Sequence, residues 1–264
     1  MKYLKHGIRD MLCGFQSWAI VQQLAHIESV RKSKRSNIGQ WWSTINTAVL
    51  IAVLGLIFGS IFELPHDYFL GYLAVGLIVW FHIFAVLIGA TTLYPDNREL
   101  IFQVALSHAV YPFQLWLKEI IIFKYNLVLI PIVFLLSGIS VTPEMIFCLF
   151  GLLLLQLNLG WMIVILAIVS VRYRDVKQIV VNVLQLGFYA TPIIWDRNLL
   201  NFIHADYFLG LNPLFHLIEG VRAPLIEGNV PWVSLGLSLA MAASGWLIAL
   251  ILHGKFHRRI EYWV

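Results

Sequence analysis

The chain has 264 residues, of which 60% are hydrophobic and only 12% are charged, and its mean hydropathy is +0.81. An average soluble domain is about 45–50% apolar and about 25% charged, so this composition argues strongly against a soluble globular enzyme and against a disordered or fibrous chain. The formal net charge of +4 is compatible with a nucleic-acid or a membrane-surface partner, and Cys13 and Cys148 are too few for a disulfide framework or a cysteine-based metal site.

Residues 1–41 are predicted to form a cytoplasmic and interfacial segment ahead of the first membrane span. Apolar side chains alternate here with Gln and Ser, which indicates an amphipathic helix in the inner interface: Phe15, Trp18, Ile20, Val21 and Leu24. An ordinary solvated helix is the alternative. We expect no signal peptide, because the segment is too polar for one. The basic cluster Arg31–Arg35 is interpreted as a topology anchor, with nucleic-acid binding as the alternative.

Uncharged runs predict the membrane spans, since about 20 apolar residues cross roughly 30 Å of hydrocarbon. Five runs are clear, at residues 43–62, 68–94, 145–171, 179–195 and 230–252.

The region between residues 100 and 142 is ambiguous, because Lys118, Glu119 and Lys124 interrupt it and one or two spans fit. We predict one span, at residues 113–138, and expect Lys118 to extend its ammonium group toward the interface.

The distribution of basic residues supports six spans. Lys and Arg accumulate on the cytoplasmic side of membrane proteins. With six spans, every Lys and Arg between the spans is cytoplasmic except Arg197 and Arg222. A seventh span would place Arg172, Arg174 and Lys177 outside. We therefore expect a multi-pass protein of the bacterial inner membrane with both termini cytoplasmic, including a tail at residues 253–264, and no nucleic-acid partner.

Enzymatic motifs are absent from the sequence. It contains no Walker A, G-x-S-x-G or H-E-x-x-H pattern. A membrane-embedded transferase or a secondary transporter would require clustered ionisable groups within the spans. The acidic residues avoid the span centres and His82 stands alone, so both alternatives are disfavoured, and we expect neither a catalytic nor a metal site.

Three parts of the sequence together resemble a known family. They are RSNIGQWWSTIN at 35–46, VRYRDVKQ at 171–178 with ATPIIW at 190–195, and LNPLFHLIEGVRAPL at 211–225. In combination they resemble the membrane subunit of ABC-2-type polysaccharide exporters, the permeases for O-antigen, capsule or teichoic acid. The resemblance extends over nearly the whole chain, 1–264, as a single transmembrane domain.

The resemblance implies a fold and a set of partners. The expected fold is an all-α polytopic membrane protein with six transmembrane helices, an N-terminal interface helix and re-entrant outer helices between spans 5 and 6. The expected assembly is a homodimer with two copies of a separate ATPase, which binds ATP and Mg, so that this chain needs no cofactor. The expected substrate is a lipid-linked polysaccharide, most simply O-antigen, moved among membrane lipids. Capsule, teichoic-acid, drug and lipid exporters are alternatives.

Two inner segments are candidates for contact with the ATPase. Residues 95–111 are predicted to form a coupling helix with acidic and capping groups at its start, namely Asp96, Asn97 and Glu99. The resemblance also implies an ATPase contact for Arg172, Arg174 and Asp175, whose charges otherwise only fix topology. An interfacial helix with no partner is the alternative for residues 95–111.

Residues 196–229 are predicted to form short helices that enter the outer leaflet, and the resemblance implies that this re-entrant region acts as an outer gate. Pro192 is expected to kink the fifth span, and Asn212 and Pro213 to begin a short helix as cap and first-turn residue. Glu219 and Arg222, three residues apart, are expected to pair on one helix face, and binding of a charged sugar is the alternative.

Aromatic residues make up 14% of the chain, and part of them is explained by interfacial anchoring. Because sugar C–H faces pack on aromatic rings, the others are candidates for glycan contact in a pore: Trp42, Trp80, Phe81, Phe84, Phe188 and Tyr189. His82 is interpreted as a packed, hydrogen-bonded group, and Gln156 and Asn158 as polar links between helices.

Overall fold

The computed structural model of the chain describes residues 2–31, 38–61, 66–104, 106–197 and 205–264. All regular secondary structure in these residues is helical, which confirms the predicted all-α class. The helices are α1 (Lys2–Gln16), α2 (Trp18–Arg31), α3 (Trp41–Ile61), α4 (His66–Asp96), α5 (Arg98–Gln103), α6 (Val110–Leu127), α7 (Leu129–Ser137), α8 (Phe147–Arg172), α9 (Val176–Ala190), α10 (Ala205–Gly210), α11 (Pro213–Ile226) and α12 (Trp232–Trp263).

Five candidate spans among the described residues are long and apolar enough to cross a membrane: Trp41–Ile61, Tyr68–Asp96, Val110–Ser137, Pro143–Arg172 and Trp232–Trp263. They overlap five of the six predicted spans. The ambiguous region contributes a single candidate, in which α6 and α7 follow each other, as predicted.

The predicted fifth span is shorter than expected. α9 has 15 residues and ends at Ala190, whereas the prediction extended to residue 195. The reason is Pro192, which disfavours helical dihedrals in the residue before it, and Thr191 is indeed extended with φ −98° and ψ 135°. The count of six spans therefore stays a prediction.

α8 and α12 run parallel to each other. Their first turns meet through Phe147 and Trp232, whose ring centroids are 5.5 Å apart, and their last turns meet where the Arg172 guanidinium lies 5.6 Å from the Trp263 ring. The chain between residues 173 and 231 must therefore return from the end of α8 to the end where α12 begins.

Reciprocal tryptophan–glycine contacts hold α8 against α12. A Cβ atom on Gly245 would lie 2.2 Å from the Trp161 ring, and one on Gly160 would lie 2.7 Å from the Trp246 ring. Each helix thus provides a glycine that makes room for the indole of the other. The Trp246 Nε1 also donates a hydrogen bond to the Leu157 carbonyl at 2.9 Å.

We use the name terminal end for the end of the bundle that contains α1, α5 and the last turns of α8 and α12. The predicted tail at residues 253–264 is a continuation of α12 here, because Ile260 is fully buried and Phe256 packs against the core. The opposite end contains the segment from Thr191 to Pro231.

The N-terminal segment forms two helices, and α2 packs along α6. The Glu28 carboxylate accepts hydrogen bonds from Gln114 at 2.8 Å and from Lys118 at 3.0 Å. Lys118 is buried and also pairs with Glu119 at 3.1 Å, and the expectation that its ammonium group extends toward the membrane interface stays a prediction. The placement of α2 in the membrane plane stays a prediction. The side chains of Arg31–Arg35 lie outside the described residues, so the role of this cluster as a topology anchor also stays a prediction.

Candidate functional site

Arg222 lies at the centre of a buried network at the opposite end of the bundle. Its side chain is 0% exposed. The guanidinium donates hydrogen bonds to the Pro192 carbonyl at 2.5 Å and to Glu219 Oε2 at 2.6 Å, and it lies 3.8 Å from the centroid of the Tyr72 ring. One side chain therefore connects α11, α4 and the break after α9.

Further ion pairs extend this network and balance its charge. Arg197 pairs with Glu219 and, at 2.7 Å, with Glu227. Burial raises the pKa of Glu227 above its ordinary value, and the nearby Glu219 carboxylate adds to that shift. Each guanidinium group is thus paired with at least one carboxylate, which a buried charge requires. We call Tyr72, Arg197, Glu219, Arg222 and Glu227 the outer network.

The backbone break at Pro192 supplies the acceptor that the outer network needs. The Pro192 carbonyl accepts from the Tyr72 hydroxyl at 3.1 Å as well as from Arg222. The neighbouring Thr191 hydroxyl accepts from the Asn212 side-chain amide at 2.9 Å. Asn212 also caps α11 through its side-chain oxygen, which accepts from the backbone N–H groups of Leu214 and Phe215.

The local contacts predicted for this region are present. Asn212 and Pro213 begin a helix as cap and first residue, and Glu219 and Arg222 pair. The expectation that Pro192 kinks the fifth span is wrong, because α9 already ends at Ala190. The gate role of these residues stays a prediction.

Sequence reasoning missed His216. This buried imidazole is 3.0 Å from the Ser234 hydroxyl and 2.9 Å from the Gly210 carbonyl, and so joins α11 to α10 and α12. Nothing in the sequence pattern marks these partners.

The first predicted ATPase contact differs from the expected single helix. Residues 95–111 comprise the end of α4, which includes Pro95, then the six-residue α5 and a connection before α6. Val104 is extended, with φ −130° and ψ 124°, so the helix cannot continue through it. Asn97 was expected to cap the helix, but its side-chain amide donates instead to the Leu93 carbonyl at 2.8 Å. Asp96 and Glu99 are exposed at this junction.

The second predicted ATPase contact is a tight turn between α8 and α9. Arg172, Arg174 and Asp175 are all exposed there. Within the part of the chain that the structure describes, no ion pair joins Asp175 to either arginine. Their charges are thus available to a partner.

The predicted glycan-contact residues do not form one surface. Trp80 is buried against Phe188, with centroids 5.6 Å apart, and Phe188 meets the exposed Tyr189 at 5.4 Å. Phe81 and Phe84 are half-buried against the helical core.

Trp42 lies apart from these rings, exposed, and lines a groove of about 590 Å³ together with Asn46, Glu28 and Lys118. Among the six predicted glycan-contact residues, Tyr189 and Trp42 have the most exposed rings.

The polar residues within the spans serve packing, as interpreted from the sequence. His82 stacks on Phe123 with centroids 4.1 Å apart and is 2.9 Å from the Gln156 amide. Asn158 donates to the Ser238 carbonyl of α12 at 2.9 Å. Among the described residues, no group of three or more His, Cys, Asp or Glu side chains is placed to hold a metal ion.

Comparison with known proteins identifies the family. The profile of the family described as ABC-2 type transporter matches residues 21–226. The chain is also 25% identical over 219 residues to the O-antigen export system permease protein RfbA of Myxococcus xanthus, covering 82% of this chain and 84% of that protein. The family match includes α9, the break at Pro192 and every residue of the outer network except Glu227. The chain is a member of the ABC-2 type transporter family.

Proposed function

We propose that this chain is the permease subunit of an ABC exporter that carries a lipid-linked polysaccharide, most simply O-antigen, across the bacterial inner membrane. The observation that carries the proposal is the similarity to an O-antigen export permease along 82% of the chain. The exposed aromatic rings of Tyr189 and Trp42 support a sugar substrate, since sugar C–H faces pack on aromatic rings.

The proposed topology has six spans with α9 as the fifth, and the terminal end faces the cytoplasm. Two observations support it. The parallel α8 and α12 require the intervening chain to cross the bundle once more. The basic residues Arg98, Arg172, Arg174 and Lys255 lie toward the terminal end, the side that Lys and Arg prefer.

The outer network is proposed as the closed outer gate. α11 is almost wholly buried between α4, α8 and α12, although it is too short to span the membrane. Such a helix fits a re-entrant element of the outer leaflet. Arg222 fixes it to the break after α9, so opening requires the exchange of these buried contacts for new ones.

Two copies of this chain and two copies of a separate ATPase are proposed for the complete exporter. A bundle of this size can hardly enclose a path for a sugar polymer, so two copies are needed to form one. Asp96, Asn97, Glu99, Arg172, Arg174 and Asp175 are proposed to contact the ATPase, which supplies the site for ATP and Mg.

Deletion of the gene tests the proposed substrate. Cells that lack the permease are expected to lose surface O-polysaccharide and to accumulate the lipid-linked form on the cytoplasmic side. Export should return with the wild-type gene but not when the ATPase partner carries a substitution of its Walker A lysine. Both forms are measured by glycan staining of whole cells and of membrane extracts.

Other outcomes select the alternatives. Loss of capsule or teichoic acid with normal O-polysaccharide would assign the chain to those exporters. Unchanged surface glycans together with a defect in drug efflux or lipid distribution would contradict a polysaccharide substrate.

A further inference from the structure

Asp10 of α1 joins three elements at the terminal end. His253 of α12, whose side chain is 0% exposed, donates from Nε2 to Asp10 Oδ2 at 2.6 Å. Ser107, in the connection between α5 and α6, donates to Asp10 Oδ1 at 2.9 Å. Burial alone would raise the pKa of Asp10, but the hydrogen bonds from His253 and Ser107 hold it below its ordinary value.

The backbones of these elements are in direct contact. A Cβ atom on Gly7 would lie 2.1 Å from the Leu250 carbonyl oxygen, and one on Gly254 would lie 1.9 Å from the Tyr3 carbonyl oxygen. α1 and α12 thus touch with no side chain between them. Gly14 packs on Ala109, beyond Ser107, where a hypothetical Cβ atom would lie 2.8 Å from the Ala109 Cβ.

The last turns of α12 contact both segments proposed to bind the ATPase. Glu261 is 3.5 Å from His108, which belongs to the connection after α5. Trp263 lies 5.6 Å from the guanidinium of Arg172, in the turn between α8 and α9. The two segments lie on different parts of the chain, and the end of α12 is what joins them.

We infer that α1 and residues 250–264 form a bracket that holds the two ATPase-contact segments in fixed relation, with Asp10 as its positioning residue. The inference rests on the proposed function. Movement imposed by the ATPase on either segment then passes to α12, and through the tryptophan–glycine contacts to α8. The two ATPase-contact segments therefore move together, because the bracket connects them.

Variants of the Asp10–His253 pair test the bracket in the complex of permease and ATPase reconstituted in proteoliposomes. The probe is the lipid-linked polysaccharide isolated from the strain that carries the gene. Asp10→Asn and His253→Gln are each expected to lower the amount of glycan exported per ATP hydrolysed by about threefold or more, a coupling effect of ordinary size. Because both variants break one interaction, the double variant should be no worse than the single ones.

His26→Gln is the matched control, since His26 is exposed on α2 and lies outside the bracket. It should leave the export per ATP unchanged. Glu261→Gln provides a second variant that preserves folding, because the Glu261 side chain is 60% exposed. It should lower the export per ATP in the same direction as Asp10→Asn.

Three results are distinguishable. An unchanged export per ATP in Asp10→Asn or Glu261→Gln overturns the bracket. A loss of assembled complex with the same export per ATP assigns Asp10 a purely structural role and also overturns it. If the wild-type complex hydrolyses ATP but exports no glycan, the proposed substrate fails. The bracket is then tested by whether Asp10→Asn abolishes the permease-dependent change in ATPase rate, and retention of that change overturns it.

Discussion

Arg222 shows how a single buried side chain satisfies several groups that a helix break leaves open. Its planar guanidinium bonds a carbonyl, bonds a carboxylate and stacks on a ring at the same time, which an ammonium group cannot do. A cation without such partners would be too costly at this depth.

Arg222→Lys is therefore expected to destabilise the protein although it keeps the charge. We expect a loss of at least about 2 kcal/mol in the free energy of unfolding, measured by titration with SDS in mixed micelles. Arg197→Lys is the control, because the Arg197 side chain is 33% exposed and a lysine at this position can still pair with Glu219 and Glu227, so the expected loss is smaller. Equal losses in the two variants would contradict the central role of Arg222.

Gly245→Ala is expected to disturb the contact between α8 and α12. The added methyl group would lie 2.2 Å from the Trp161 ring, so the indole must move and overpacking should cost about 1–3 kcal/mol. Gly236→Ala on the same helix is the matched control, since nothing lies within 4 Å of its hypothetical Cβ. Thermal unfolding in detergent should separate the two variants, and an equal midpoint would refute the proposed contact.

At the scale of elements, α9 is the helix on which the topology depends. It is too short to count as a span by length, yet α8 and α12 on either side of it run in the same direction. The break at Pro192 lets the chain complete the crossing without a regular helix, which is tolerated only where protein surrounds the backbone. The side chains of Arg222 and Tyr72, which donate hydrogen bonds to the Pro192 carbonyl, provide that protein environment.

Cysteine labelling measures the crossing of α9 directly. In a background with Cys13→Ser and Cys148→Ser, Asp175→Cys should react with a membrane-impermeant maleimide only from the cytoplasmic side. Asn229→Cys, at an exposed site beyond α11, should react only from outside. Reaction of both sites from the same side would show that α9 does not cross.

The exposed acidic residues of α5 and of the α8–α9 turn are expected to couple export to ATP hydrolysis. Glu99→Gln and Asp175→Asn should each lower export while the ATPase of the complex still hydrolyses ATP, since both remove a charge available to the partner. Glu144→Gln, at the opposite end of the bundle, is the control. Normal export in both coupling variants would remove this proposal.

Some of these elements could be predicted from the sequence because their causes are local. Uncharged runs mark spans, Asn212 and Pro213 mark a helix start, and a spacing of three brings Glu219 to Arg222. The partners of these groups could not be predicted, because Tyr72 and Arg197 come from other elements. Asp10 and His253 lie 243 residues apart, and neither belongs to a periodic pattern.

Across the whole molecule, a glycan can contact only those aromatic side chains whose rings are exposed. Trp80 is buried and packs on the half-buried Phe188, whereas the neighbouring Tyr189 is 60% exposed. In a homodimer, a ring of this kind is available to a substrate between the two copies, and a buried ring is not.

Tyr189→Ala is accordingly expected to reduce glycan export severalfold without loss of stability or dimer. Tyr262→Ala is the matched control, because Tyr262 is 89% exposed at the terminal end, away from the proposed path. Surface glycan and the amount of assembled complex are measured together. Normal export in Tyr189→Ala would assign this ring to the lipid-facing surface.

The pairing of α1 with α12 also has a consequence for biosynthesis. α1 precedes α12 in the chain and is therefore made earlier, whereas the backbone surface that receives Gly7 and the His253 side chain that bonds Asp10 belong to α12, which follows α8 and α11. Until then α1 lacks its closest backbone contacts, and the Trp161 indole lacks the glycine against which it packs. The nascent bundle must therefore remain open in the bilayer, accessible to chaperones and membrane proteases, and it closes in a late step when α12 arrives.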